Sequence, residues 1–276
     1  MFISVDEAYQ KWKDSNVQFV DCRFDLQDTS KGEMDYRSAH IPGAVYFNLD
    51  SDLSDPVHEH RIGGRHPLPD WQAFAQKLGD RGIDRNTEVI VYDDNHAFAS
   101  RMYWMLMVIG HSNISILNGG FTAWKDHGFP TESGSVEKEP VTYGDFQVNE
   151  KLMVNQKEVK QKLNNEDVTL IDSRSAERYS GKIEPIDHKA GHIPGAVNYD
   201  WSQLFEDGQL KSQPEINKHF QEIDRNKEVI VYCGSGVTAT PNVLALLQAG
   251  YENVKLYPGS FSDWISNDQN PVETKK

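Results

Sequence analysis

Cys233 stands where covalent chemistry could occur, at the end of Glu228-Val229-Ile230-Val231-Tyr232-Cys233-Gly234-Ser235-Gly236-Val237-Thr238-Ala239. The apolar, β-branched run before it reads as a short buried strand. The stretch from Val237 through Leu244, Leu246 and Leu247 reads as a helix stopped by Gly250, with Pro241 confined to its first turn. Between strand and helix, Gly234 and Gly236 let backbone N–H groups converge on one point. The helix start adds its positive dipole end. Such a loop cradles anions, and its nearest anion is the Cys233 sulfur, whose thiolate the N–H ring favours. Ser235 and Thr238 add hydroxyl donors, and Val237 contributes its backbone. The chemistry expected is nucleophilic attack by sulfur.

The elements that must position this loop occur twice. Phe19-Val20-Asp21-Cys22-Arg23 is matched by Leu170-Ile171-Asp172-Ser173-Arg174, and His40-Ile41-Pro42-Gly43-Ala44-Val45 by His192-Ile193-Pro194-Gly195-Ala196-Val197. Asp84-Arg85-Asn86 with Glu88 to Tyr92 recurs as Asp224-Arg225-Asn226 with Glu228 to Tyr232. Gly110, Gly119, Phe121 and Trp124 recur as Gly250, Gly259, Phe261 and Trp264. The order is kept, so two similar domains are expected, 1–128 and 151–276, joined by a surface linker at 129–150. In each, short apolar strands alternate with helical runs, the pattern of an α/β fold with a parallel sheet flanked by helices. Expected strands are 17–21, 89–92 and 114–117 in the first unit, and 168–172, 229–232 and 254–257 in the second. Phe98 to Ile109 reads as a buried helix.

The 276 residues suffice for two cores, and the formal charge of −14 argues against nucleic acid as a partner. A small anionic substrate must then be held by particular Arg or Lys side chains. The two cysteines fall at different places in separate units, which fits reduced thiols in the cytoplasm better than a disulfide. The N-terminus carries no signal-peptide pattern, and no window is apolar enough to span a membrane.

The two units differ where the chemistry would be. Opposite Cys233 lies Asp93, and opposite Gly234-Ser235-Gly236 lies Asp94-Asn95-His96, so the first unit is expected to be catalytically silent. It is also longer: 44 positions separate His40 from Asp84, against 32 between His192 and Asp224. The extra length falls in Ser54 to His66, where His58, His60, Arg61, Arg65 and His66 form a basic island in an acidic chain. Two readings stand: a solvated surface loop, or a strap arching over the second unit's site to draw in an anion. The histidines there lack a defined metal-ligand frame, and no metal is expected.

Cys-Gly-Ser-Gly-Val-Thr-Ala, the twice-present His-Ile-Pro-Gly-Ala and the closing Leu256-Tyr257-Pro258-Gly259-Ser260-Phe261-Ser262-Asp263-Trp264 resemble the motifs of the two-domain rhodanese family of sulfurtransferases over the whole chain. The loop is similar to the version carried by members that use 3-mercaptopyruvate, whereas thiosulfate-using members have basic residues at the places of Gly234 and Ser235. The resemblance implies an inactive first domain, an active second one, and a persulfide on Cys233 with no metal or organic cofactor. It implies Arg178 as the donor-binding arginine. Asp187 departs from the family pattern, which has a second arginine there, so thiosulfate stays open as the donor. It further implies a relay of Ser235 with a first-domain histidine, His40 here, and Asp28 or Asp35 as its acid. Against this, duplication of His40 as His192 favours a turn-ordering role for both, and duplication of Asp21 and Arg23 as Asp172 and Arg174 favours a strand-end brace. Expected acceptors are cyanide in an assay, and in the cell a thiol such as thioredoxin, glutathione or cysteine. A monomer is expected, because the two units cover each other.

A cysteine phosphatase would need an arginine six residues after its cysteine; that position is Ala239. A resolving cysteine for redox cycling is missing near Cys233. A non-catalytic tandem binding module remains the alternative from another class.

Overall fold

A computed structural model describes residues 1–275 of the chain. The apolar runs form parallel sheets in two units. In the first, the strand order is Phe2–Ile3, Ile114–Leu117, Glu88–Tyr92, Val17–Asp21 and Val45–Tyr46. In the second it is Val254–Leu256, Glu228–Tyr232, Val168–Asp172 and Val197–Asn198. Every pair in these two sheets is parallel. The central strands have helices on both faces, which is why they read as continuous apolar runs rather than alternating ones. The three expected strands of each unit lie within one residue of their predicted ends. The short edge strands Phe2–Ile3, Val45–Tyr46 and Val197–Asn198 carry too few residues for any periodicity to show.

Trp264 packs with Tyr232, Tyr257, Phe261 and Ile230 in the second core, and Trp124 with Tyr92, Phe121 and Phe19 in the first. Each fully buried ring of this kind contributes on the order of 2–3 kcal/mol. The helix Ala97–Val108 has almost no polar face, consistent with its burial.

The units are not simple halves of the sequence. The first comprises Met1–Asp55, Pro69–Asn149 and Asp207–Leu210; the second comprises Pro56–Leu68, Glu150–Glu206 and the chain from Lys211 onward. Two expectations are corrected. The segment 129–149 is not a separate linker: its backbone is hydrogen-bonded onto the first unit, through His40 N to Glu132 O, Val141 N to Gly79 O and Asn149 N to Val108 O. The basic segment Pro56–Leu68 folds with the second unit, although it lies within the first half of the chain.

The duplicated residues have the same duties in each unit. Arg174 grips both carboxylate oxygens of Asp172, donates to the Gly191 carbonyl at 2.6 Å and lies 4.1 Å from the centroid of the Phe261 ring. Arg23 does likewise with Asp21, the Ala39 carbonyl and Phe121. These pairs close the carboxyl ends of their strands.

Candidate active site

Strand register places the site. Pairing of Tyr232 with Asp172 ends the ladder, and Ser173 N donates to Tyr232 O, so Cys233 is the first residue beyond the sheet. In an open parallel sheet this is the end where ligands bind. Cys233 is 1% exposed, and its N–H donates to Ser260 Oγ at 3.1 Å. Phe261 N and Ser262 N donate to the carbonyls of Cys233 and Gly234, tying the loop to the helix Ser260–Trp264. Gly236 adopts φ +75°, and a Cβ there would run into the Pro258 carbonyl. Only glycine fits.

The helix after the loop starts at Thr240, later than Val237, whereas its counterpart in the first unit starts at Ala97. The reason is Pro241: its ring lacks an N–H and is tolerated only in the first turn. Residues 234–239 are thereby left as loop, with Val237 buried and Thr238 half-buried. Among the described residues, no protein oxygen accepts from the N–H groups of Gly234, Ser235, Val237, Thr238 or Ala239. In the first unit the corresponding donors are spent. Asp93 Oδ1 accepts from Asn95 N and His96 N, and Oδ2 from Phe98 N at 2.8 Å and Ala99 N at 3.0 Å. The first unit thus has an anion cradle filled by its own carboxylate.

Ser235, two residues after Cys233, has its Oγ 2.8 Å from Nδ1 of His66, and both side chains are buried. The relay histidine expected from the resemblance was His40. The structure gives His40 other partners: Nδ1 donates to the Tyr36 carbonyl at 2.7 Å, and Nε2 lies 3.1 Å from Glu132 Oε1. His192 repeats this, with Nδ1 on the Tyr179 carbonyl and Nε2 facing Glu273. Each ring stacks on a tyrosine, at centroid distances of 4.1 and 4.0 Å. These histidines clip the segment that follows each sheet. The acids proposed for His40 are engaged elsewhere too: Asp28 accepts from Ser30, and Asp35 pairs with Lys31.

His66 reaches Ser235 because its segment is fastened to the second unit. Gly63 N donates to Asp263 Oδ1 at 2.7 Å, and Tyr257 O–H holds the other oxygen of that carboxylate at 2.6 Å. Arg65 N donates to Ser262 Oγ at 3.1 Å. Gly64, at φ +86°, lies so close to the Gly259 carbonyl that a Cβ would collide with it. His58, His60 and Arg61 of the same segment are exposed and take no part.

Two guanidiniums flank Gly234. A Cβ on that residue would lie 2.7 Å from Arg65 Nη2, and 3.4 and 3.5 Å from Arg178 Nη2 and Nη1. Arg178 is held by Glu184 through Nε at 3.1 Å and Nη2 at 2.8 Å. Burial alone would push the Glu184 carboxyl up, but its hydrogen bond from Arg178 and the backbone N–H of Asp187 outweigh this and hold it below the usual range. Asp187 bridges Arg178 and Arg65. Both cysteines are buried and unpaired. Burial, reinforced by Asp93 and Asp21, pushes the Cys22 thiol well up, which suits an inert core residue.

The chain resembles known proteins along nearly its whole length. The family model of the rhodanese-like domain matches twice, at residues 4–127 and 155–267. The chain is 36% identical over 280 residues to the probable 3-mercaptopyruvate sulfurtransferase of Pseudomonas aeruginosa, covering 99% of this chain and 97% of that protein. It is 32% identical to the thiosulfate sulfurtransferase of Rattus norvegicus, over 94% of this chain and 88% of that one. The crystal structure of SseA from Escherichia coli, a 3-mercaptopyruvate enzyme with the rhodanese fold, superposes with a TM-score of 0.83 at 32% identity, covering 95% and 98% of the two chains. The chain belongs to the rhodanese family of sulfurtransferases, with two rhodanese-like domains in tandem. Among the described residues, no helix is long and apolar enough to cross a membrane.

Proposed function

We propose that the protein moves sulfur from 3-mercaptopyruvate, with thiosulfate as the alternative donor, through a persulfide on Cys233 to a thiol acceptor. The observation that carries this reading is the hydrogen bond between His66 and Ser235 of the Cys233 loop, with Arg178 next to Gly234.

In the first half-reaction the Cys233 thiolate attacks the donor's sulfur. A sulfur–sulfur bond forms, the donor's carbon–sulfur bond breaks, and its electron pair leaves on the enolate of pyruvate. That enolate takes a proton, for which Ser235 backed by His66 is the route supported by the geometry. The loop N–H groups stabilise the negative charge on the sulfurs. Arg178 pairs with the donor's carboxylate as a charge-assisted anchor. In the second half-reaction the acceptor thiolate attacks the outer sulfur and carries it away, and the Cys233 thiolate is restored. Thioredoxin, glutathione or cysteine could serve as that acceptor. Two unpaired thiols support a reducing, cytoplasmic setting, and we take the monomer as the working unit.

Intact mass after separate exposure to 3-mercaptopyruvate and thiosulfate, beside a Cys233→Ser control, tests the reading. A gain of about one sulfur mass, lost in the control, is expected. No gain with either donor would overturn sulfur transfer and leave the tandem binding module as the better account.

A further inference from the structure

We propose that Arg65 and Arg178 together form a two-guanidinium clamp for the donor's carboxylate, and that buried Asp187 sets the clamp's charge so that a singly charged donor is preferred over a doubly charged one. This rests on the sulfur-transfer reading above and names the donor class for it.

The positions come first. Arg65 Nη2 and Arg178 Nη1 both lie within 3.5 Å of a single point beside Gly234, the residue that follows Cys233. A Cβ at 234 would collide with Arg65 Nη2, so glycine is what lets both guanidiniums come up against the backbone that follows Cys233.

The donors are then accounted for one by one. Arg65 spends Nη1 on Asp187. Arg178 spends Nε and Nη2 on Glu184, and Nη2 also on Asp187. Among the described residues, Arg65 Nη2 and Arg178 Nη1 are spent on no protein acceptor. Each arginine therefore presents one NH2 group to the same place, and a carboxylate has two oxygens to meet them. The Glu184 and Asp187 side chains are 3% and 0% exposed, so both arginines are oriented from beneath by carboxylates shielded from water. Arg65 reaches this place because its own N–H is fixed to Ser262.

The charge count follows. Arg65, Arg174 and Arg178 face Asp172, Glu184 and Asp187, so the cluster is neutral as assembled. A singly charged carboxylate such as that of 3-mercaptopyruvate leaves it at one negative charge. Thiosulfate, with two charges, leaves it at two, in a partly buried place where like charges repel strongly. Asp187 is thus a positioning residue that orients the two arginines and also weighs against dianions.

The test is steady-state kinetics with both donors for the full-length protein and for Arg65→Gln, Arg65→Lys and Asp187→Asn, with thermal melting to verify folding. Arg65→Gln should raise the KM for 3-mercaptopyruvate by about tenfold or more, and by a larger factor than it lowers kcat. Arg65→Lys keeps the charge but not the fork, and should fall in between. Asp187→Asn adds one net positive charge and should raise kcat/KM for thiosulfate relative to 3-mercaptopyruvate by about tenfold. Unchanged KM in both Arg65 variants overturns the clamp. An unchanged donor ratio in Asp187→Asn, even with both KM values raised, overturns the charge assignment. Failure of the unmodified protein to load sulfur from either donor counts instead against sulfur transfer itself, so the two failures are distinguishable.

Discussion

His66 Nδ1 lies 2.8 Å from Ser235 Oγ, although 169 positions separate the two residues in sequence. The hydroxyl of the Cys233 loop is therefore governed by a side chain from Pro56–Leu68, a segment that folds with the second unit but lies among first-unit residues in the chain. The segment is a built part of the site, fixed by Asp263, Ser262 and the close approach of Gly64 to Gly259.

A direct consequence concerns the two candidate histidines. His66→Ala should lower kcat with 3-mercaptopyruvate by about a hundredfold, the usual worth of a positioned proton-transfer group. His40→Ala should leave turnover within a fewfold of normal. It should cost stability, about 1–3 kcal/mol, because the buried Tyr36 carbonyl loses its partner. Parallel turnover assays and thermal melts separate the two. A hundredfold loss in His40→Ala with no loss in His66→Ala would reverse the assignment.

The strap can be displaced without touching any side chain in the chemistry. Gly64→Ala introduces a Cβ against the Gly259 carbonyl, which is backbone and cannot swing aside. Arg65 and His66 should shift, and kcat/KM should fall by about ten- to a hundredfold. Gly195→Ala is the control: its φ is +76°, but nothing lies within 4 Å of a Cβ there. It should cost about 1 kcal/mol of backbone strain and leave turnover intact. Equal kcat/KM in both variants would show that the strap's exact seat does not matter.

Acid should loosen the support beneath Arg178. Glu184 sits below the usual carboxyl value of 4.5 in the folded protein, so its contribution is present above that pH and is lost as pH falls through the lower folded value. Glu184→Gln should therefore melt below the unmodified protein near neutral pH, and the gap should close as pH drops beneath about 4.5. Calorimetry across a pH series measures it. A gap that stays constant down to pH 3 would mean the carboxylate is not held ionised.

The first unit supplies an internal comparison. Asp93 stands where Cys233 does, and its carboxylate takes four backbone N–H groups of the loop. Substituting a carboxylate for sulfur does not dismantle the cradle; it fills it.

Sequence alone determined a good deal. The doubled strand-and-helix pattern fixed an α/β fold with parallel sheets, because buried parallel strands need continuous apolar runs and those runs are local. The cysteine, its glycine loop and the constraint at Pro241 were legible for the same reason, since strand end, turn and helix start are neighbours in the chain. Asp93 opposite Cys233 told the units apart. Tertiary structure alone decided which histidine meets Ser235. The family resemblance pointed to His40, whereas the repeat, with His192 at the same place in the second unit, pointed to a turn-ordering role, and both histidines bond the backbone of their own turn. His66 has no counterpart in the repeat, and its only signal was a basic insertion in an acidic chain. Asp187 looked like the loss of a positive charge, and proved to be the carboxylate that holds Arg178 and Arg65 together. Pairings between residues more than a hundred positions apart depend on how a long loop packs, and no local preference encodes that.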